Sequence, residues 1–220
     1  MKILAVSDQI VERIYTLARQ GHFQGTDIII GCGDLPYTYL EYLVSMLNAP
    51  MVYVPGNHDP EYNPKFNSTR AEGGSNLDLQ HTHVKGLLMA GLGGSVKYRP
   101  DGVNQHTQAE AFQRAARLMP GLLFNRLRYG RALDILITHS PPFGIHDDET
   151  QAHTGLKAIN WLLRWARPRY HFHGHTHFFR QNLAVSITKL GPTTIMNVFP
   201  YKIIEVSSQS AGESEIENVR

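Results

Sequence analysis

The segment MKILAVSDQIVERIYTLARQGHFQGTDIIIGCGDLPYTYLEYLVSMLNAPMVYVPGNHD, residues 1–59, decides the fold of this chain. Short apolar runs at 3–6, 27–30 and 51–54 predict three buried strands. Between them, apolar residues at helical spacing predict helices over 11–19 and 39–47. This β-α-β-α-β order predicts a parallel sheet that is covered by helices.

The remaining sequence continues the alternation less regularly. Residues 60–76 are rich in Asn, Gly, Pro and Ser and predict a loop. Residues 84–92 predict either a strand pair or one buried run. The later predicted elements are helices over 107–118 and 156–165, and strands over 133–138, 170–173, 184–187, 194–198 and 202–206, the last three antiparallel in part. No repeat or linker divides the chain, so we predict one domain over 1–206 and a polar, disordered tail over 207–220.

One predicted helix carries apolar residues at several positions along its length. In the helix over 107–118, the apolar positions are Ala109, Phe112 and Ala116, together with residues 115, 118 and 119.

Composition narrows the class of protein. A hydrophobic content of 42% and a net charge of +2 are ordinary for a globular domain and do not suggest a nucleic-acid-coating protein. No apolar run is long enough to span a membrane, and the N-terminal apolar run is too short for a secretory signal. The single cysteine, Cys32, excludes an internal disulfide. We therefore predict a cytoplasmic protein, and its 12 histidines favour metal binding or acid–base chemistry.

Each of five predicted strands is followed by polar side chains that can bind a metal. These residues are Asp8, Asp34, the run Asn57-His58-Asp59, His139, and the pair His175 and His177. Because sites in α/β sheets form outside the carboxyl ends of the strands, we expect these side chains to converge at one rim. Glycines precede Asp34, Asn57 and His175, where they permit sharp turns and close approach of the backbone.

The types of ligand indicate which metals would bind. Carboxylates, an amide oxygen and imidazoles favour Mn, Fe, Zn, Co or Ni over copper or a thiolate zinc site. A carboxylate such as Asp34 can bridge two ions. Two ions about 3.5–4 Å apart can hold both oxygens of an in-line phosphoryl displacement. The pattern therefore predicts a divalent metal centre, with two ions, for phosphoryl chemistry.

The ordered set Asp8, Gly33-Asp34, Gly56-Asn57-His58-Asp59, Thr138-His139 and Gly174-His175-Thr176-His177 resembles the calcineurin-like metallophosphoesterases. The resemblance runs from residue 3 to about residue 200, and the pairing of Gly-Asn-His-Asp with Gly-His-x-His is specific. It implies an α/β fold in which two mixed β-sheets pack as a sandwich flanked by helices. It also implies two sets of metal ligands. The first ion would be held by Asp8, Asp34 and His177, and the second by Asp34, Asn57, His139 and His175.

The resemblance implies catalytic roles for two neighbouring residues that do not bind the metal. His58 would stabilise the phosphoryl oxygens or protonate the leaving group. Asp59 would orient His58 by accepting its other ring N–H. A metal-activated hydroxide would then attack the phosphorus of a small phosphate ester, most readily a diester.

The first motif departs from the family pattern. Asp-x-His is usual there, whereas this chain has Asp8-Gln9-Ile10, and isoleucine cannot bind a metal. We expect the first ion to be bound more weakly, by a factor of more than about ten, since even losses around the ligands cost about 10–100-fold. Water, Gln9 or Glu12 could fill the position.

Several residues have alternative interpretations. Asp8 could cap a helix and Asp34 could belong to a turn. We expect His171 and His173 to be packed core residues, and His81 and His83 to be structural or exposed. His146 and Asp147 could touch substrate or cap their loop. The basic stretch Arg114, Arg117, Arg126, Arg128 and Arg131 could be a solvated face or could supply a phosphate contact.

Two other functions remain open for the same motifs. The loss of a ligand at Ile10 is compatible with a non-catalytic scaffold that binds other proteins. A nuclease related to the double-strand-break repair branch of the family is disfavoured, because the chain lacks room for extra DNA-binding regions and has nearly balanced charge. We therefore expect a small phosphate-ester substrate, no nucleic acid and no membrane partner. The motifs do not determine the oligomeric state.

Overall fold

A computed structural model describes residues 1–63, 65–177 and 185–206. The helices in this part of the chain are α1 (Glu12–Arg19), α2 (Tyr37–Leu47), α3 (Gln108–Tyr129) and α4 (Lys157–Ala166). The strands are β1 (Lys2–Val6), β2 (Ile28–Gly31), β3 (Met51–Tyr53), β4 (Gly74–Asn76), β5 (His81–Val84), β6 (Leu87–Leu92), β7 (Ser95–Val96), β8 (Gln105–His106), β9 (Ile135–Thr138), β10 (Tyr170–His173), β11 (Ile187–Leu190), β12 (Thr193–Asn197) and β13 (Tyr201–Glu205).

The strands form two large mixed sheets and one short parallel pair, β7-β8. The first sheet has the order β13-β1-β2-β3-β4, and only β13 is antiparallel to its neighbour. The second sheet has the order β11-β12-β10-β9-β6-β5, with antiparallel pairs at both edges. The predicted architecture of two mixed sheets is confirmed, and so is the antiparallel pairing among the late strands.

The alternating side chains of each strand build three apolar layers. In β1, Ile3 and Ala5 face the second sheet and pack with Ile137 and Phe172. Leu4 and Val6 face the opposite way, toward α1 and α2. On the far side of the second sheet, α3 and α4 cover Leu136 and its neighbours. The fold is therefore a β-sandwich flanked by helices, because the central strands are buried on both faces.

Helix α3 is longer than the predicted helix, and it shows which of the apolar positions are buried. It runs to Tyr129 instead of ending at Leu118, although Pro120 lies inside it. Of the predicted apolar positions, Ala109, Phe112 and Ala116 are exposed, whereas the buried face carries Ala111, Ala115, Leu118 and Leu122. The reason is that α3 is apolar on two opposite faces, so helical periodicity alone cannot tell which one is buried.

Other boundaries differ in smaller ways. The predicted loop over 60–76 ends in a short strand, β4, that extends the first sheet in parallel to β3. The segment over 84–92 belongs to the antiparallel pair of β5 and β6, so the predicted strand pair is confirmed over a single buried run. The strand predicted over 184–187 is observed later in the chain, as β11 (Ile187–Leu190). Ala184 lies outside the described residues. The predicted tail over 207–220 also lies outside them. Within the described ranges, no helix has the length and apolar character needed to cross a membrane.

Candidate metal centre

The carboxyl ends of both sheets meet at one rim of the sandwich. Asp34 and Asn57 follow β2 and β3 of the first sheet, and His139 and His175 follow β9 and β10 of the second. The His139 ring reaches across the rim: its Nδ1 donates to the backbone carbonyl of Cys32 at 2.8 Å. The sheets therefore deliver ligand-type side chains to one place, as expected for strand ends in an α/β fold.

Four donor atoms converge at the centre of this rim. The Nε2 atom of His139 lies 3.1 Å from Asn57 Oδ1, 3.3 Å from Asp34 Oδ2 and 3.0 Å from His175 Nδ1. Ligands that surround an ion at about 2.0–2.2 Å lie roughly 3.0–3.4 Å from one another in tetrahedral or octahedral geometry. The observed spacing therefore fits a bound divalent ion.

Hydrogen bonds on the outer side of the ligands determine which atoms face the centre. Because His139 Nδ1 donates to the Cys32 carbonyl, its Nε2 presents a lone pair inward. His175 Nε2 donates to the Ala152 carbonyl at 2.7 Å, so its Nδ1 faces inward in the same way. The Asn57 amide nitrogen donates to the Tyr98 hydroxyl at 3.2 Å, which turns Asn57 Oδ1 to the centre. Such outer partners orient the ligands of metal sites.

The four converging atoms share too few protons to satisfy one another by hydrogen bonds. Asn57 Oδ1, Asp34 Oδ2 and His175 Nδ1 are all acceptors. His139 Nε2 can carry a single proton, which can satisfy one of these three neighbours well. Three acceptors that lie 3.0–3.3 Å from His139 Nε2 are therefore matched by a cation better than by any proton arrangement. Among the described residues, Asp34, His139 and His175 form a group of three that could bind a metal ion.

Close backbone contacts explain why glycine precedes these ligands. A Cβ atom on Gly56 would collide with the carboxylate of Asp34, and one on Gly174 would collide with the carboxylate of Asp8. The candidate ligands Asp8, Asp34 and His175 have positive φ angles of 63°, 56° and 67°. Non-glycine residues rarely adopt this conformation, and it concentrates at functional sites.

The charges at the centre form one coupled ion pair. Burial lowers the pKa of His139, but Asp34 and Asp8 outweigh it and raise that pKa to about 10. Burial raises the pKa of Asp34, but His139 and the backbone N–H of His58 hold it well below its usual range. Burial and the neighbouring His139 lower the pKa of His175 to about 4. In the absence of an ion, one proton on His139 thus partly neutralises the site.

The residues implied for the first ion are arranged more loosely. His177 Nε2 lies 3.7 Å from Asp8 Oδ1, and its ring stacks on Phe199 with centroids 4.4 Å apart. Both Asp8 oxygens already accept the backbone N–H of His175, at 3.1 and 3.0 Å. Ile10 is 39% exposed and offers no donor atom. The two halves of the rim are therefore unequal, and the tighter one is built around His139.

His58 and Asp59 point to different sides of their turn. His58 is exposed, and its backbone N–H donates to Asp34 Oδ1 at 2.8 Å. Asp59 is buried, and its Oδ2 accepts the backbone N–H groups of Gly56 at 2.7 Å and Asp34 at 2.9 Å. Among the described residues, Asp59 makes no hydrogen bond with the His58 ring. Asp59 therefore ties two ligand loops together instead of orienting His58, because burial directs its carboxylate inward.

Several supporting residues could not be found from the sequence. Tyr98 and the Ala152 carbonyl orient ligands but carry no motif. Asn104 Nδ2 donates to the carbonyls of Gly56 and Asp59 at 3.0 and 3.1 Å. Asn197, at the end of β12, donates to the Thr176 carbonyl at 2.7 Å. Only the position of Asn197 at a strand end could have indicated its role.

The remaining histidines and the loop after His139 have structural contacts. His171 and His173 are fully buried, as expected of core residues. His146 Nδ1 bonds to His173 Nε2 at 2.9 Å, and its Nε2 bonds to Thr188 at 2.9 Å. Asp147 Oδ2 accepts the backbone N–H groups of Gly144 and Gly155. Of the two alternatives for His146 and Asp147, these contacts favour capping of the loop.

The basic stretch is divided among separate contacts. The Nη2 atom of Arg114 donates to both carboxylate oxygens of Asp78, at 2.7 and 2.8 Å. Arg131 pairs with Asp134 at 2.7 Å. Arg126 lies over the ring of Trp165 at 5.9 Å. These side chains therefore hold the fold together instead of lining the rim.

Two cavities flank the metal centre. One, of about 520 Å³, is lined by Asp34, His58 and Asp59, and also by Leu35, Tyr37 and Arg70. The other, of about 400 Å³, is lined by His177, Thr176 and His153, together with the acidic residues Asp147, Asp148 and Glu149. Substrate-sized space is thus available on both sides of the ligands.

Comparison with known families and structures gives consistent results. A family model described as calcineurin-like phosphoesterase matches residues 1–179. The chain is 25% identical over 189 residues to the uncharacterized protein MJ1162 of Methanocaldococcus jannaschii, covering 79% of this chain and 78% of that protein.

Solved structures share the fold at low sequence identity. TT1561 of Thermus thermophilus superposes with a TM-score of 0.62 and 17% identity, covering 92% of this chain and 93% of that one. The NAD nucleotidase of Haemophilus influenzae superposes with a TM-score of 0.52 and 12% identity, covering all of this chain (100%) and 55% of that one. At these identities the likeness concerns the fold alone.

Proposed function

The chain belongs to the family of calcineurin-like phosphoesterases, and on that premise we propose that it is an active metal-dependent phosphoesterase, with a phosphodiester as its preferred substrate. One observation carries the proposal. Acceptor atoms of Asp34, Asn57 and His175 lie 3.0–3.3 Å from His139 Nε2, close to an exposed histidine, His58. A scaffold protein has no need for this arrangement.

One group of side chains would bind the metal ions, and a separate residue would act on the substrate. Asp34, Asn57, His139 and His175 would hold one divalent ion tightly, and Asp8, Asp34 and His177 would hold a second one more loosely. Such ions would act as Lewis acids toward a phosphoryl oxygen. They would also lower the pKa of water to about 7. Mn, Fe, Zn, Co and Ni all suit this mixture of carboxylate, amide and imidazole donors.

His58 would act on the substrate from the rim. Its backbone N–H is held by Asp34 Oδ1, and His58 lines the 520 Å³ cavity beside Asp34. From there the imidazole can donate a hydrogen bond to a phosphoryl oxygen or a proton to the departing oxygen. General acid catalysis of this kind contributes about 10²–10⁴-fold to a rate. Asp59 would act indirectly, by holding the loops of Asp34 and Gly56 together.

A turnover assay with matched variants tests the proposal. The purified protein is supplied in turn with Mn²⁺, Fe²⁺, Co²⁺, Ni²⁺ or Zn²⁺ and offered bis-p-nitrophenyl phosphate and p-nitrophenyl phosphate. We expect metal-dependent cleavage, faster for the diester. His58→Ala should lower kcat about 10²–10⁴-fold and leave metal affinity within about twofold, while His139→Ala should lose both. His22→Ala, at an exposed histidine away from the rim, is the control.

The scaffold function is the second candidate because Ile10 stands where the family has a ligand. It makes a different prediction in the same experiment. A scaffold would bind at most one ion and would not turn over either substrate with any metal, and His58→Ala would then change nothing. We also propose a cytoplasmic location and a small-molecule substrate; the buried, unpaired Cys32 is compatible with a reducing compartment.

A further inference from the structure

The 520 Å³ cavity beside Asp34 and His58 reaches beyond the metal centre. Its other lining residues come from the start of α2 and from the loop between β3 and β4. A rounded space of this volume is about 10 Å across, and small-molecule sites generally occupy about 300–1,000 Å³. A phosphoryl group at the metal centre would fill only one end of it. The rest can therefore hold the organic portion of a substrate.

Part of the cavity wall is apolar. Leu35 and Tyr37 are buried side chains that line it, and the exposed rings of Pro36 and Pro60 line it as well. The Tyr37 ring packs on the ring of Tyr53 with centroids 5.6 Å apart, so the core holds it in place. A wall of aromatic, proline and leucine side chains suits a flat or ring-shaped group.

Arg70 supplies a cation to the same cavity. It is exposed, and in the part of the chain that the structure describes it forms no ion pair with a carboxylate. Its Nη2 donates to Asn67 Oδ1 at 2.9 Å, a contact that orients the guanidinium and leaves its charge unneutralised. A guanidinium has five N–H donors in a planar fork that matches phosphate oxygens. Arg70 can therefore bind an anionic group that a ligand brings.

The carboxylates that line the cavity have other partners. Asp34 belongs to the metal centre, and Asp59 accepts the backbone N–H groups of Gly56 and Asp34. Glu41 Oε1 accepts the backbone N–H of Glu72 at 2.9 Å. The charge of Arg70 thus remains available to a ligand.

The backbone on both sides of Arg70 is held by hydrogen bonds. The Arg70 N–H donates to the carbonyl of Asn67 at 3.1 Å, and the N–H of Ala71 donates to the Tyr53 hydroxyl at 3.0 Å. Thr69 Oγ1 donates to the carbonyl of Phe66 at 2.8 Å. Groups that are already ordered lose less entropy when a ligand binds, so more of their interaction energy appears as affinity.

The residues next to Arg70 favour phosphate over carboxylate as the anion. Asn67 and Ser68 line the cavity with Arg70 and add amide and hydroxyl donors. A terminal phosphate offers three oxygens to these donors, whereas a carboxylate offers two. We propose that the cavity binds a ring-bearing portion of the substrate and that Arg70 binds a second phosphate on it. This substrate class rests on the phosphoesterase function proposed above and narrows it to diesters that carry a further phosphate, as in a nucleotide.

Two chromogenic diesters test the role of Arg70 during turnover. They are p-nitrophenyl esters of thymidine 5′-phosphate, with and without a phosphate on the 3′ oxygen, and they share the same scissile bond. We expect kcat/KM to be about tenfold higher for the 3′-phosphorylated ester, the low end for a hydrogen bond between charged groups. The preference should shrink as NaCl is raised, because salt screens exposed charges.

Variants show whether the preference depends on the guanidinium. Arg70→Ala should bring the ratio of the two kcat/KM values to about one. Arg70→Lys should keep part of it, since the ammonium retains the charge but not the fork. Arg19→Ala, at an exposed arginine in the last turn of α1, is the control and should keep the full ratio. Equal losses for both diesters in Arg70→Ala would place Arg70 on the scissile phosphate and overturn the proposal.

A binding measurement that needs no turnover separates this proposal from the enzymatic one. Calorimetry in the presence of Mn²⁺ compares thymidine 3′,5′-bisphosphate with thymidine 5′-phosphate. The bisphosphate should bind the wild type about tenfold more tightly, and Arg70→Ala should bind both alike. Equal affinities in the wild type, or a difference that survives in Arg70→Ala, would overturn the second-phosphate site. The expected affinities without turnover of any diester would refute the enzymatic function and leave the site as a binding site.

Discussion

Replacing Tyr98 by phenylalanine should weaken metal binding without unfolding the protein. The Tyr98 hydroxyl accepts a hydrogen bond from the Asn57 amide nitrogen at 3.2 Å, which leaves Asn57 Oδ1 facing His139. Without the hydroxyl, the amide can rotate and present its NH₂ group to the ion. An NH₂ group has no lone pair to give to a metal, so the rotated state does not bind.

The size of the effect follows from two estimates. One hydrogen bond contributes about 0.5–1.5 kcal/mol net, which is roughly 2–13-fold in affinity. Loss of an outer hydrogen bond to a metal ligand costs about 10–100-fold. The two ranges meet at about tenfold, which we expect for the rise in Kd of Mn²⁺ in Tyr98→Phe. Isothermal titration calorimetry or competition with a chelating dye would measure it.

A double-mutant cycle separates orientation of Asn57 from general damage. In Asn57→Asp, both carboxylate oxygens can bind the ion, so rotation no longer matters and Tyr98→Phe should cost less than about twofold. The exposed Tyr62→Phe serves as the control for loss of a hydroxyl. An unchanged Kd in Tyr98→Phe, or an equal loss in the Asn57→Asp background, would refute the orienting role.

Three further predictions concern protons, packing and the helix cap. Burial lowers the pKa of His139, but Asp34 and Asp8 raise it to about 10, and only the neutral ring binds metal. Affinity should therefore rise about tenfold per pH unit from pH 7 to 8.5, with proton release on binding; affinity independent of pH would contradict this. Gly174→Ala should force Asp8 aside and destabilise the fold by about 1–3 kcal/mol in urea titrations; wild-type stability would show that the loop yields freely. Thr107→Ala, which removes the capping box at α3, should cost about 1 kcal/mol and leave metal affinity unchanged; a change in metal affinity would mean that the cap acts on the site.

Much of the fold and the ligand types could be predicted from local patterns. The apolar runs at β1, β2 and β3 predicted buried strands, and Asp34 and Asn57 follow two of them as expected. A strand and the residue after it are encoded by neighbouring positions, so their order along the chain is enough. The ligand chemistry followed in the same way, since a side chain keeps its donor atoms wherever it lies.

Tertiary contacts decided what the local patterns left open. Periodicity marked α3 as apolar but could not choose between its two apolar faces; the second sheet buries the one with Leu118, and the other is left exposed. Asp59 was expected to serve its neighbour His58, yet it bonds to Asp34, 25 residues away.

The sequence by itself thus determined the strands, the helices and the kinds of ligand, because these depend on residues close together along the chain. Only the tertiary structure decided which atom of each ligand faces inward. Asn57 is turned by Tyr98, 41 residues later, and His175 by the carbonyl of Ala152, 23 residues earlier. Orientation depends on such distant partners because a rotatable side chain adopts the geometry that its hydrogen bonds impose.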